Sequence, residues 1–500
     1  MPGETGAAEG RPDSGGPASA SRIARNTIVQ VGAVVASYLA TLVFYVVLAR
    51  ALGDQGFGDF NFALSIGLLV SVAALGTDYA IMQEVARDRD RVHQVFWNSV
   101  AIRLCFAALG VAVAVAFTWV ADYSTAIVAA TAIFAVSSGV NVLAQAIQAA
   151  LRGLEDMAPI AASWVVGRFF IAAIGSALVL LGGGLIEVAL VYLAATMVSL
   201  LYCAAALVRR HVTPRLAISW ERSRSLIGTA IPLAIGNVLV LILSRIDVVI
   251  LSTIKGNAAV GIYGAAYRLF EGTSFFSTIF GLSAYPALSR LDSDSRPTIG
   301  EAYEKGCKAL MLVLVPAGVG VVLFADPVIR LLYGSEYADS ASALSFLGGA
   351  IPMWALFVFT MFVLAAGDRQ RAIGWALALG VAANIGLNLA LIPEYSAEGA
   401  AAAMTISLAI TDFALIAVAA RSTGGVRLIR IWAGPLAGSA AMLVVVLPWG
   451  TGLLQAMAGA LACCATIAVV ERRFFEGDLA FMLRAARGGL RRGPSGGTAP

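Results

Sequence analysis

Long apolar stretches alternate with short polar segments along most of the chain. Fourteen stretches can be marked off, and most reach the roughly 20 residues that a helix needs to cross a bilayer. They cover residues 27–49, 60–82, 98–121, 125–150, 159–182, 185–208, 226–254, 262–288, 307–331, 340–366, 372–392, 398–420, 431–449 and 452–471. The pattern predicts an all-α polytopic membrane protein with about 14 transmembrane helices. For the last two stretches, Pro448-Trp449-Gly450 leaves a re-entrant turn open as an alternative.

The composition excludes most classes of soluble protein. Hydrophobic residues fill 59% of the 500 positions, charged residues only 13%, and the mean hydropathy is +0.85. A soluble domain carries roughly 25% charged residues. The five cysteines form no CxxC pair, only two histidines occur, and no GxxxxGK[ST] sequence is present. We therefore expect no metal, no cofactor, no enzymatic activity and no nucleic acid partner.

The basic residues predict the orientation of the chain in the membrane. Of the 34 lysines and arginines, 27 lie in the two tails and in every second loop, three lie in the alternate loops, and four lie within the apolar stretches. Because lysine and arginine are enriched in cytoplasmic loops, both termini are expected on the cytoplasmic side.

The predicted units follow from the loops, of which none exceeds about 20 residues. Residues 1–21 lack an apolar run and predict a disordered tail. The C-terminal residues mix phenylalanine and leucine with six arginines, which fits either a basic amphipathic helix on the membrane surface or a solvated tail. The expected order is a tail (1–21), an N-terminal lobe (22–208), a cytoplasmic loop (209–225), a C-terminal lobe (226–420), two helices (421–471) and a basic tail (472–500).

An internal repeat connects the turns after the first and seventh apolar stretches. At an offset of 203 residues, five positions match, pairing Leu48, Gly53, Gly58, Phe60 and Ala63 with Leu251, Gly256, Gly261, Tyr263 and Ala266. Glycine suits a tight turn that needs a positive φ. A unit of six helices is even in number, so both copies enter the membrane from the same side. The repeat predicts two parallel six-helix lobes with a substrate site between them.

Four charged residues lie deep in the seventh and eighth apolar stretches. Arg245 and Asp247 are two positions apart on one helix, point in different directions and are therefore poor partners. Arg268 and Glu271 are three positions apart and can pair. Charges at this depth are costly and indicate functional sites. Arg103 lies nearer to a helix end, where we expect its side chain to reach the membrane surface.

Further polar side chains lie within other apolar stretches. Arg168 and Asp412 are charged, and Asn237, Asn384 and Asn388 are amides. Two readings stay open for such residues, a water-filled cavity or hydrogen bonds between packed helices. Arginines in a cavity suit an anionic substrate, because a guanidinium binds phosphate oxygens in a fork.

Several motifs, in this order along the chain, resemble one family, the Wzx-type polysaccharide-export flippases, which share a superfamily with MATE and MurJ-type transporters. The resemblance covers roughly residues 22–420. It rests on Arg25-Asn26, Leu48-Ala-Arg-Ala-Leu-Gly53 with Phe57-Gly58, Gly76, Glu84, Pro232, Asp247, Leu251, Val260-Gly-Ile-Tyr263, Pro286-Ala-Leu-Ser289, Leu331-Leu-Tyr-Gly334 with Tyr337, Asn384, Asn388, Ile392-Pro393 and Gly399.

The resemblance implies two six-helix lobes arranged in a V around a central cavity that opens alternately to each side. The implied substrate is an undecaprenyl-diphosphate-linked oligosaccharide, which moves from the cytoplasmic to the outer leaflet of the bacterial plasma (inner) membrane. Membrane lipids, a polysaccharide polymerase and glycosyltransferases are the implied partners. The residues assigned on this basis are Arg168, Arg245 and Arg268 for the diphosphate, Asn237 and Asn384 for the sugar, and Asp247, Asp412 and Glu271 for coupling or charge tuning.

Three alternatives to this function remain open. A cation-coupled multidrug or metabolite exporter would need a net acidic cavity. A lipid II flippase would transport a related diphosphate substrate. A membrane polymerase, ligase or glycosyltransferase using the same lipid carrier would be expected to have a sizeable extracytoplasmic loop, which this sequence lacks.

Overall fold

A computed structural model describes residues 17–74, 76–87, 92–211, 220–288, 296–366, 369–423, 425–448, 450 and 452–474. All regular secondary structure in these ranges is helical, as the apolar pattern predicts. The α-helices are α1 (Pro17–Leu69), α2 (Thr77–Arg87), α3 (Val92–Val120), α4 (Thr125–Gly153), α5 (Ala158–Phe170), α6 (Ser176–Leu180), α7 (Leu185–Arg210), α8 (Trp220–Lys255), α9 (Asn257–Leu288), α10 (Arg296–Leu323), α11 (Ala325–Leu332), α12 (Ser340–Ala366), α13 (Gln370–Thr423), α14 (Leu428–Val446) and α15 (Leu453–Phe474).

Two of these helices each contain two of the predicted spans. Helix α1 breaks at Gly53, where φ is +67°, and α13 breaks at Ser396, where φ is +50°. Within the described ranges, 11 helical segments are long and apolar enough to cross a membrane, and the two broken helices contribute one segment each. The chain is therefore a multi-pass membrane protein, and the number of fourteen crossings stays a prediction.

The first and last helices begin and end close to the predicted tail boundaries. Helix α1 begins at Pro17, so it overlaps the last five residues of the tail predicted over 1–21. Helix α15 ends at Phe474. The predicted basic amphipathic segment beyond it, and the first sixteen residues, lie outside the described residues.

The helices join at two ends of the bundle. One end carries the short turns near Gly53, Asp122, Gly182, Gly256 and Gly334, and is called the turn end below. The opposite end, called the terminal end, is the one predicted to be cytoplasmic. Local capping explains several turns, such as the one before α7, where Glu187 accepts a hydrogen bond of 3.0 Å from the backbone N–H of Gly184.

The hydrophobic core joins the two halves of the chain near the turn end. Aromatic rings from both halves meet there, and the Phe57 ring lies 6.2 Å from the Tyr337 ring. A second, separate core lies at the terminal end of the N-terminal half and includes Ile81, Phe96 and Leu151. Two lobes in contact at one end would produce this distribution.

The turns of the internal repeat have the backbone conformation that the sequence predicts. Gly53 and Gly256, the equivalent glycines of the two copies, both have a positive φ, +67° and +82°. L-residues with a Cβ rarely adopt this conformation. The prediction that glycine supplies a positive φ here is confirmed.

The second pair of repeat glycines brings the two halves into backbone contact. A Cβ on Gly58 would lie 1.7 Å from the backbone oxygen of Asn257, and a Cβ on Gly261 would lie 2.0 Å from that of Asp54. Both contacts pair residues across the repeat, and exchanging the two copies turns one contact into the other. The equivalent turns therefore face each other at the turn end, which supports the internal repeat.

Side chains from both halves also join the first turn of the N-terminal half to the C-terminal half. Arg50 donates hydrogen bonds of 2.7 Å to the backbone oxygens of Leu331 and Leu332 at the end of α11. The Tyr337 hydroxyl donates 2.9 Å to the backbone oxygen of Ala49, and burial raises the pKa of Tyr337, so it stays a donor at neutral pH. Two motifs from opposite halves therefore form one contact that closes the turn end.

The prediction that Arg103 reaches the membrane surface is wrong. Its side chain is 0% exposed and lies between α2, α3 and α4. It donates to Asp78 Oδ1 at 2.7 Å, to Thr77 Oγ1 at 2.7 Å, to Ser99 Oγ at 3.1 Å and to the backbone oxygen of Val142 at 2.7 Å. A buried charge is tolerated when its hydrogen-bonding groups are satisfied, and polar groups on three neighbouring helices satisfy this one.

The last two helices pack on α10 through buried charges. Lys308 Nζ lies 2.7 Å from Glu471 Oε2, and both side chains are buried. The Glu304 carboxylate accepts a hydrogen bond of 2.7 Å from the backbone N–H of Arg427, directly before α14. These contacts attach α14 and α15 to the C-terminal half.

Candidate substrate-binding cavity

A cavity of about 410 Å³ lies between the two halves of the chain. Its walls come from the end of α1 and the turn that follows it, from α8 and α9, and from Trp354 on α12. The polar side chains that line it are Ser71, Asn237, Ser244, Arg245, Tyr267 and Glu271. A concave, largely apolar space with a few converging polar groups is typical of a small-molecule site.

The cavity lies near the middle of the helices. Arg245 is ten residues before the end of α8 at Lys255, and Arg268 is eleven residues after the start of α9 at Asn257. With a rise of about 1.5 Å per residue, both residues lie about 15 Å from the turn end. In a hydrocarbon core about 30 Å thick this is close to the midplane, where transporter sites are found.

Glu271 bridges two arginines beside the cavity. Its Oε1 lies 2.9 Å from Arg245 Nη2, and its Oε2 lies 2.7 Å from Arg268 Nη1. The pairing of Arg268 with Glu271, predicted from their spacing, is confirmed. The Arg245 contact joins α8 to α9. The three groups carry one net positive charge at neutral pH.

Residues of the N-terminal half hold Arg268 in place. Its Nη2 donates 2.7 Å to Asn61 Oδ1, and its guanidinium carbon lies 4.3 Å from the centre of the Tyr45 ring. Asn61 itself donates 2.8 Å to the backbone oxygen of Phe57. Gly264 leaves room for this amide, because a Cβ there would lie 2.7 Å from Asn61 Nδ2.

Arg245 has fewer partners, and it lies on the cavity wall. Its guanidinium carbon lies 5.4 Å from the centre of the Tyr267 ring. Such a cation–π contact is worth about 0.5–2 kcal/mol, depending on desolvation. Asn237 lines the cavity eight residues earlier on α8, about 12 Å nearer to the terminal end.

Arg168 lies on α5, outside the residues that line the cavity. Its side chain is exposed, and its guanidinium carbon lies 5.6 Å from the centre of the Tyr38 ring. The structure therefore brings Arg245 and Arg268 together, with Arg168 at the periphery.

Asp247 is fully buried and is not among the residues that line the cavity. It accepts hydrogen bonds from the Tyr263 hydroxyl and, at 2.8 Å, from the backbone N–H of Val248. As predicted from their spacing, Asp247 and Arg245 take different partners.

Asn384 and Asp412 lie in α13, away from the cavity lining. Asn384 is fully buried and donates 2.9 Å to Ser407 Oγ, and Asn388 donates 2.8 Å to the backbone oxygen of Asn384. Asp412 is also buried, and neither of its carboxylate oxygens has a hydrogen-bond partner among the described residues. The Asn384 amide joins the two arms of the broken helix, whereas Asn388 bonds within its own arm, and the structure does not bring Asn384 together with Asn237.

Sequence reasoning missed Asn61, Tyr45 and Tyr267. An amide within an apolar stretch was a usable signal for Asn61, whose repeat equivalent, Gly264, is a position at which the two copies differ. The tyrosines gave no signal, since an aromatic residue in a membrane helix usually packs in the core. Among the described residues no group of three or more possible metal ligands is found.

The helical fold and the charged cavity at mid-depth define a multi-pass membrane protein with the architecture of a transporter. Solved structures share this fold. A lipid II flippase, MurJ, in an inward closed conformation has a TM-score of 0.71 at 15% identity, over 89% of this chain and 99% of that one. An inward-facing multidrug resistance MATE family transporter has a TM-score of 0.63 at 15% identity, over 78% and 94% of the two chains.

The family model described as "Polysaccharide biosynthesis protein" matches residues 23–292, more than half of the chain. The chain belongs to this family, which confirms the resemblance inferred from the motifs. A probable low-salt glycan biosynthesis flippase of Haloferax volcanii, Agl15, is 25% identical over 240 residues, 47% of this chain and 50% of the relative. The match thus spans about half the length of that curated relative. These relatives carry the names of flippases and transporters.

Proposed function

We propose that this protein is a flippase for an undecaprenyl-diphosphate-linked oligosaccharide. It moves the substrate from the cytoplasmic to the outer leaflet of a bacterial plasma membrane by alternating access, for the export of a cell-envelope glycan. The single observation that carries this proposal is the pair of arginines, Arg245 and Arg268, joined by one carboxylate beside a cavity at mid-depth.

The substrate's chemistry matches what the cavity offers. A diphosphate and sugars cannot cross hydrocarbon unaided, because their charges and hydroxyls would lose their hydration. Arg245 on the cavity wall and Arg268, which is bound to the cavity residue Glu271, supply a positive charge for the diphosphate, and Asn237 supplies hydrogen-bonding groups for the sugar. The polyprenyl chain is apolar and can stay in the lipid. Arg168 retains a peripheral role in attracting the headgroup.

The contacts at the turn end support alternating access. The Gly58 and Gly261 turns touch, and Arg50 and Tyr337 join the first turn to the end of α11 and the turn after it, so the cavity is closed toward that end. If the termini are cytoplasmic, as the distribution of basic residues predicts, this is a carrier closed to the outside. Release of substrate would then require these contacts to separate.

Relatives with named activities point the same way. The relative from Haloferax volcanii is named a probable low-salt glycan biosynthesis flippase, and the MurJ structure is named a lipid II flippase. A net positive cluster beside the cavity disfavours a cationic cargo, which weakens the multidrug-exporter alternative. Roles for Asn384, Asp412 and Asp247 in sugar binding or coupling stay predictions, and because none of the three lines the cavity, an indirect role fits them better than contact with the substrate.

Arg245→Ala tests this proposal directly. The purified protein is reconstituted in vesicles with a fluorescent polyprenyl-diphosphate-linked disaccharide, and a membrane-impermeant quencher reports which leaflet holds it. We expect the variant to lose translocation by at least tenfold while its thermal stability stays near that of the wild type. Arg330→Ala is the matched control, because Arg330 is exposed and pairs only with the exposed Asp326 in the described structure. Normal translocation by Arg245→Ala would refute the diphosphate site.

A further inference from the structure

Glu271 occupies the place that an anionic ligand of the two arginines would take. Each of its carboxylate oxygens binds a different arginine, at 2.9 Å and 2.7 Å. A phosphate group binds arginines through the same kind of N–H···O contact. The resident carboxylate therefore competes for the same donors as a substrate phosphate.

The exposure of the three side chains shows which of them can leave. The Glu271 side chain is 37% exposed, while those of Arg245 and Arg268 are 10% and 4% exposed. Asn61 and Tyr45 fix Arg268, and Tyr267 lies against Arg245. The arginines have these other contacts to hold them when the carboxylate moves.

The arginines also have donor capacity that this carboxylate does not use. Arg268 Nε is buried and has no acceptor among the described residues. Leaving a buried donor without an acceptor destabilises the protein. A carboxylate has two oxygens, and both are already engaged, whereas a terminal phosphate has three. Arg245 lines the cavity and bonds through Nη2 alone to an acceptor among the described residues, so a phosphate in this place can engage a further donor of Arg245 that Glu271 leaves unused.

We propose that Glu271 is a resident counter-anion, which the anionic headgroup of the substrate displaces from Arg245 and Arg268 on binding. This inference rests on the proposed function, since it assumes that the two arginines bind a phosphate-containing headgroup. Two nearly buried guanidinium groups without a counter-charge would be costly in the empty carrier.

This exchange has a consequence for transport. Substrate binding replaces one anion with another, so the loss of the Glu271 contacts offsets part of the favourable binding free energy between the arginines and the substrate. The return of Glu271 to the arginines favours release of the substrate on the far side. Glu271 thereby sets the affinity to a level that permits turnover, because a carrier that binds too tightly cannot release its cargo.

The test compares Glu271→Gln with the wild type for binding of farnesyl diphosphate, a soluble prenyl diphosphate, to the purified full-length protein by calorimetry. Glutamine keeps the shape of the side chain and removes its charge. We expect binding at least tenfold tighter, together with slower translocation of the disaccharide lipid. Glu187→Gln is the matched control, since Glu187 is exposed at the turn end and its replacement changes the net charge equally. That control should bind as the wild type does.

Unchanged or weaker binding by Glu271→Gln would overturn the exchange, because it would mean that Glu271 only positions the arginines. Glu271→Asp keeps the charge and provides a second measurement if the glutamine variant fails to fold. Its affinity should stay within about threefold of the wild type, and a gain of tenfold or more would also overturn the proposal.

Arg245→Ala distinguishes a failure of the exchange from a failure of the proposed substrate site. If it binds farnesyl diphosphate normally, the proposed site itself is wrong, whereas loss of binding there without a gain in Glu271→Gln refutes only the exchange.

Discussion

Arg103 and Arg245 are both arginines inside apolar helices, and they differ in what surrounds their guanidinium groups. All three guanidinium nitrogens of Arg103 donate hydrogen bonds, to acceptors on α2, α3 and α4, and the side chain is fully buried. Arg245 bonds through Nη2 alone to an acceptor in the described structure, and its side chain lines a cavity.

The difference separates a structural charge from a binding one. A guanidinium has five N–H donors, and neighbouring helices already engage every nitrogen of Arg103. It has no nitrogen without an acceptor in the described structure, and removing it would take a donor away from each of its buried partners. Arg245 keeps donors available and faces open volume. The depth of an arginine in the membrane therefore does not by itself identify a substrate site. What identifies the site is whether the guanidinium has N–H donors that the protein's own acceptors leave unused.

Replacing Arg103 by leucine should have the largest effect on the folded protein. The variant leaves the Val142 carbonyl, Thr77 and Ser99 without their donor and Asp78 without its ion pair. We expect a loss of about 3 kcal/mol of stability. The measurement is membrane accumulation and thermal stability in detergent, beside Arg245→Ala. If Arg103→Leu accumulates normally and Arg245→Ala does not, the division between the two arginines is wrong.

Lysine at each position should sharpen the comparison, with smaller effects. Lysine keeps the charge but lacks the planar fork that reaches several acceptors at once. Arg103→Lys should lose about 1–2 kcal/mol of stability through lost hydrogen bonds, and it should keep its translocation rate per folded molecule. Arg245→Lys should keep its stability and translocate several-fold more slowly. Equal stability losses for the two variants would contradict this expectation.

The smallest effects are expected from polar neighbours of each arginine. Asp78→Asn removes the ionised partner of Arg103, and because Asp78 is partly exposed we expect a stability loss of only about 1 kcal/mol. Asn237→Ala should leave stability unchanged and reduce translocation of the sugar-bearing lipid by a few-fold. Asp78→Asn should therefore change thermal unfolding and leave translocation in the vesicle assay unchanged, and Asn237→Ala should do the reverse. A variant that changes both measurements would contradict the division between the two arginines.

The sequence was sufficient for the features that depend on near neighbours along the chain. Apolar runs about 20 residues long predicted the helices, and the breaks at Gly53 and Gly256 followed from the need for positive φ. The spacing of Arg268 and Glu271 predicted their ion pair, and the spacing of Arg245 and Asp247 predicted that they would not pair. Each of these follows from the geometry of one helix or one turn.

Contacts between distant segments required the tertiary structure. The Arg245 ion pair crosses 26 positions, the contact of Arg268 with Asn61 crosses 207, and the burial of Arg103 depends on three helices. Asn384 and Asn237 are both amides within apolar stretches, yet of the two only Asn237 lines the cavity. Helical periodicity gives the direction of a side chain relative to its own helix and leaves open which helix lies opposite. The sequence by itself determined a multi-pass helical membrane protein with a few buried charges, and the packing of its helices decided which of those charges face a cavity.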